Sequence, residues 1–89
     1  MPRVHFTSHL QRHVDCPERE VHARTLAAAL HEVFLQQPEA RDYVLDEQGH
    51  LRKHVFVFVD GQRIRDHDRL DVAVGEDSEI YVMQALTGG

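Results

Sequence analysis

His54-Val55-Phe56-Val57-Phe58-Val59-Asp60-Gly61 decides the fold. Five consecutive β-branched and aromatic residues form the strongest strand in the chain, because such side chains fit a pleated, half-buried surface. Asp60-Gly61 supplies the left-handed backbone of a tight turn, and Gln62 to Arg65 is read as the short returning strand. Alternation puts Val55, Val57 and Val59 on one face and Phe56 and Phe58 on the other. Both faces carry large apolar groups, so one must meet a core and the other something else.

On the C-terminal side, Arg65 to Asp77 reads as a polar connection that includes Leu70, Val72 and Val74, and Glu79 to Gln84 as the last strand. There Ile80 and Val82 share a face, as do Tyr81 and Met83. On the N-terminal side, Asp46 to His54 is a polar loop, and Glu39 to Val44 a further short helical turn. From about His22 to Gln37 the period becomes helical: Ala23, Leu26, Ala29, Leu30, Val33 and Phe34 make one apolar stripe that stops at Pro38. No N-cap residue is evident at the start of that stripe. Arg3 to Thr7 alternates as a half-buried strand with Val4 and Phe6 inward. It is expected to turn at Ser8-His9-Leu10 into a second strand, Gln11 to Cys16, with Pro17 to Glu20 as loop. The order is β-β-α-β-(β)-β. One helix of four turns covers one face of a sheet, which makes two layers.

The 89 residues allow a single small domain, expected to span 1–84, with 85–89 as a tail. The net charge of −5 and the scattered basic residues, nine arginines and the single Lys53, argue against nucleic acid and anionic membrane as partners. No apolar run exceeds five residues, against the ~20 that span a bilayer. Met1-Pro2-Arg3-Val4-His5 has no signal-sequence character, and the single Cys16 excludes an intramolecular disulfide, so the expected location is the cytoplasm. His5, His9 and His13 recur every four residues, but in a hairpin only two of them face each other, an incomplete set for zinc. The chain has no Gly-rich phosphate loop, and the surroundings of Cys16 offer little to activate a thiol.

Three stretches carry a resemblance. His54 to Gly61, then Leu70-Asp71 followed by Gly75-Glu76-Asp77-Ser78-Glu79-Ile80, and the terminal Ala85-Leu86-Thr87-Gly88-Gly89 resemble the ubiquitin-like β-grasp sulfur carriers of the MoaD/ThiS superfamily. The resemblance implies an α+β, two-layer β-grasp fold with a mixed four- to five-stranded sheet and one main helix on one face. The match departs from the molybdopterin branch in its short first hairpin and in Gln84-Ala85, where a proline often precedes the tail. The sulfur pathway therefore stays open.

The tail itself suits a terminus that is another enzyme's substrate. Ile80 to Gly89 bears no charged side chain, and two terminal glycines let the backbone enter a narrow channel. The resemblance implies that a ubiquitin-activating-type adenylating enzyme uses ATP on the Gly89 carboxylate. A thiocarboxylate then forms and passes its sulfur to a downstream synthase. Leu86, Thr87 and Gly88 form the tail, and the chain binds no cofactor and has no catalytic residue or metal of its own. Phe56, Phe58, Tyr81 and Met83, on the face away from the helix, are the candidate partner surface. Two alternatives remain: a modifier joined through Gly89 to target lysines, and a non-covalent β-grasp binding module.

Overall fold

The computed structural model describes residues 1–6, 18–66 and 69–84. Within them the order is β1 (Arg3–Phe6), β2 (Arg19–Glu20), α1 (Leu26–Gln36), α2 (Pro38–Val44), β3 (Val55–Val59), β4 (Gln62–Arg63) and β5 (Glu79–Gln84). The described strands form one mixed sheet in the order β2-β1-β5-β3-β4. β5 lies at its centre, parallel to β1 and antiparallel to β3. The fold is the two-layer α+β β-grasp, with α1 on one face of the sheet.

The inner face follows from alternation. Val55, Val57 and Val59 on β3, Ile80 and Val82 on β5, and Val4 and Phe6 on β1 are all buried. They meet Leu26, Ala29, Leu30, Val33 and Phe34 of α1, which recur at helical spacing and form the other half of the core. α2 starts with Pro38 in its first turn, where a missing N–H costs nothing, and closes the core with Ala40 and Val44.

Two expectations need correction. The helix starts at Leu26 rather than His22, and it does have a cap. Thr25 is extended (φ −131°, ψ 159°), and its Oγ1 accepts the Ala28 N–H at 3.2 Å. The other free donors of the first turn are satisfied from far along the chain. Leu26 N–H donates to Val72 O at 2.9 Å and Ala27 N–H to Leu70 O at 2.7 Å. Thr25 also pairs as an isolated bridge with Ala73. The connection before β5 thus fixes where α1 begins, and Ala23 only appeared to extend the stripe: it packs against the core from outside the helix.

The second correction concerns β1. Its antiparallel neighbour is Arg19–Glu20, placed in a loop by the polar composition of Pro17 to Glu20, with Arg3 opposite Glu20 and Val4 opposite Arg19. A two-residue edge strand needs no apolar alternation, because its register is held by backbone bonds and by ion pairs. Arg3 reaches Glu18 at 3.5 Å and Glu20 at 3.3 Å. The expected strand Gln11 to Cys16 lies outside the described residues, as do His9 and His13.

The β3–β4 turn is bolted to the entry of β5. Asp60 (φ 51°) and Gly61 (φ 83°) both take the left-handed backbone that a two-residue hairpin requires. The Asp60 carboxylate accepts the Glu79 N–H at 2.9 Å and the Ser78 hydroxyl at 2.8 Å. Ser78 is buried, and its Oγ in turn accepts the Gly75 N–H at 2.8 Å. The Glu79 N–H, and next the Ser78 hydroxyl, hold the Asp60 carboxyl below its ordinary pKa, since both donate to the charged form.

Candidate docking face

The outer face of the sheet carries the candidate surface. Register places Phe58 opposite Tyr81 and Phe56 opposite Met83, with His5 on the other side of Tyr81 and Arg63 opposite Phe58. Tyr81 is 43% exposed and Met83 37%, while Phe56 and Phe58 are half-buried. The four side chains share this face, away from α1.

Neighbouring strands explain why the aromatics are only partly open. The His5 imidazole stacks on the Tyr81 ring, with centroids 4.5 Å apart and planes 11° from parallel. The Arg63 guanidinium sits 4.3 Å above the Phe56 ring, a cation–π contact worth roughly 0.5–1 kcal/mol at an exposed site. Each contact fixes a ring in place and so lowers the entropy cost of burying it against a partner. A shallow dip of about 250 Å³ on this face is lined by Phe58, Gly61, Tyr81 and Met83. A Cβ at Gly61 would meet nothing within 4 Å, so the glycine serves the turn's backbone.

Carboxylates from the start of β5 and from beside β2 flank His5 at the border of the apolar patch. His5 Nε2 lies 3.0 Å from Glu79 and its Nδ1 3.4 Å from Glu18, which also meets Arg3. The arrangement is a platform with a ringed apolar centre, one acidic border and a cation at the opposite border. It suits recognition of a protein surface. Among the described residues no cluster of three His, Cys, Asp or Glu is placed to hold a metal ion. Nor, among them, is any helix long and apolar enough to cross a membrane.

Alternation placed Phe56, Phe58, Tyr81 and Met83 on one face, as the register shows, but gave no sign that His5, Arg63, Glu18 and Glu79 lie beside them. Alternation does point His5 outward. What it stacks on depends on β1 lying parallel beside β5, a pairing across more than seventy residues that carries no local signal. Gly89, Gly88, Thr87 and Leu86 lie outside the described residues. β5 ends at Gln84, opposite Val55 at the start of β3.

No family model and no curated protein matches the chain. Solved structures do, along nearly its whole length, and they share the ubiquitin-like β-grasp fold. SAMP1 from Haloferax volcanii matches with a TM-score of 0.79 and 20% identity, over 99% of this chain and 98% of that one. A chain of the BexX/CysO complex from Amycolatopsis orientalis matches with a TM-score of 0.83 and 18% identity over 100% of both. CysO from Mycobacterium tuberculosis matches with a TM-score of 0.80 and 17% identity, over 97% of this chain and all of that one. At such identities the shared property is the fold, the ubiquitin-like β-grasp.

Proposed function

We propose that this chain is a sulfur carrier protein. In this reading an adenylating enzyme of the ubiquitin-activating type docks on the outer sheet face and uses ATP to adenylate the Gly89 carboxylate. Adenylation replaces a charged, unreactive carboxylate with an electrophilic acyl group. A sulfur donor displaces AMP and leaves a thiocarboxylate, which a downstream synthase consumes. The chain contributes the terminus and the docking face; ATP is bound by the partner.

The observation that carries the reading is the pairing of an exposed aromatic and methionine patch with β5. That strand presents Tyr81 and Met83 and then leads, after Gln84, into an uncharged segment ending Gly88-Gly89. A partner seated on the patch is therefore next to the strand that delivers the tail. The neighbours support it, since one is a chain of a two-protein complex.

A second reading is favoured by a specific observation. One neighbour, from Haloferax volcanii, is described as small archaeal modifier protein 1. As a modifier the chain would be joined through Gly89 to target lysines. Incubation with a cognate adenylating enzyme, ATP and a sulfur source separates the two. The carrier gives one product by intact mass, with one oxygen replaced by sulfur. The modifier gives conjugates with target proteins. A chain inert to every such enzyme is a non-covalent module.

A further inference from the structure

Lys53 is the single lysine of the chain. It is exposed at the tip of the turn that feeds β3, a turn closed by Val55 N–H donating to Arg52 O at 3.0 Å. Two residues on, Val55 pairs with Gln84, the last residue of β5. Cross-strand partners have Cα atoms about 4.5–5.5 Å apart, and two residues add at most about 7.6 Å. The Lys53 and Gln84 Cα atoms are thus no more than about 13 Å apart, while the five residues from 85 to 89 reach about 17 Å. A segment of that length is long enough to span the gap before the lysine's own four-carbon stem is counted.

The other amine is at the far end of the sheet. β1 runs parallel to β5 with Arg3 opposite Glu79, so Met1 lies beyond the start of β5. The length of β5 alone, at about 3.3 Å per residue, puts roughly 17 Å between that end and Gln84. The tail would have to double back over the whole strand to meet Met1.

We propose that Lys53 is an acyl-acceptor site for the chain's own activated C-terminus. Its neutral Nζ attacks the Gly89 carbonyl carbon, and a C–N bond forms. The bond to the leaving group breaks, and the departing AMP or thiol accompanies the proton lost by the amine. The product is a lactam joining the end of β5 to the turn before β3. A short tether gives an effective concentration in the millimolar range, so at about 10 μM protein the internal reaction outruns the intermolecular one by roughly 100-fold. An activated terminus not held away by a partner is consumed by this lysine. The biological occurrence of the step rests on Gly89 being activated as proposed above, but its geometry does not.

The test uses the full-length folded chain made as a Gly89 thioester by intein cleavage with a small thiol, so that no activating enzyme is needed. The expected result at mildly alkaline pH is first-order loss of thiol at a rate independent of protein concentration. The product weighs one water less than the hydrolysed chain, and proteolysis yields a branched peptide joining Lys53 to Gly89. Lys53→Arg, which keeps the charge on an exposed turn, lowers the rate of lactam formation at least ~10-fold and leaves hydrolysis. Denaturant abolishes the preference for Lys53 over Met1. Products joined through Met1, a rate that rises with concentration, or hydrolysis alone would overturn the inference. Those results leave the carrier reading standing. Conversely, failure of adenylation in the enzymatic assay leaves the Lys53 placement standing.

Discussion

Val82 and Met83 are neighbours in the chain and opposites in the sheet, and truncating each to alanine separates the core from the candidate docking face. Val82 is 0% exposed on the central strand, opposite Phe6 of β1 and Val57 of β3. Val82→Ala removes two buried methyl groups, about 1.6 kcal/mol of transfer free energy at ~0.8 kcal/mol each. The cavity of roughly 50 Å³ adds about 1.2 kcal/mol at ~24 cal/mol per Å³. The sum is about 2.8 kcal/mol, a fall in Tm of roughly 11–22 °C at ~4–8 °C per kcal/mol for a domain of this size. Met83 is 37% exposed and opens to solvent, so Met83→Ala leaves no closed cavity and costs about 1 kcal/mol or less. In binding to the proposed adenylating enzyme the ranking inverts. Below its melting point the Val82→Ala chain binds as the parent does. Met83→Ala loses about 1.4 kcal/mol or more, a tenfold weaker Kd. Calorimetry and titration on the same three proteins read both quantities. Equal melting losses for the two variants, with Met83→Ala binding unchanged, would refute the assignment of the outer face to docking.

Tyr81→Ala removes the ring that His5 stacks on and is expected to weaken the same complex by about 2 kcal/mol, checked by the same titration. Thr25→Ala removes the α1 cap and costs about 1 kcal/mol, whereas Thr25→Ser retains most of it; thermal melts compare the two. For Asp60 the folded pKa is depressed, so its stabilising contribution is present above the unfolded carboxyl pKa of about 3.9. It is lost as pH falls through the lower folded value. Asp60→Asn, which keeps the tolerance for positive φ, is therefore less stable than the parent at neutral pH. The gap closes on acidification below about pH 4, followed by denaturant titration across pH. Deleting Gly89 leaves the melting temperature unchanged and abolishes adenylation, measured by pyrophosphate release; full-rate adenylation of the shortened chain would remove Gly89 as the substrate.

Local pattern determined much of this molecule. Val55–Val59 and Glu79–Gln84 are strands at the residues where alternation places them, and their inward valines and Ile80 are the core. The helical stripe from Leu26 to Phe34 is buried residue for residue. These features are legible because burial of one face imposes a period of two on strands and near 3.6 on helices. The tight turn at Asp60-Gly61 is legible for a different reason, since few residues take positive φ at low cost.

Tertiary structure decided the rest, through contacts between residues distant in sequence. Arg19–Glu20 is a strand because Arg3 and Val4 offer it backbone partners, and nothing in its own composition says so. α1 begins at Leu26 because Val72 and Leu70 supply carbonyls to its first turn. The outer face acquires His5 and Arg63 only when β1 and β4 take their places in the sheet. Periodicity reports which side of an element is buried; it does not report which element lies beside it, because pairing energy resides in backbone groups that every residue carries alike.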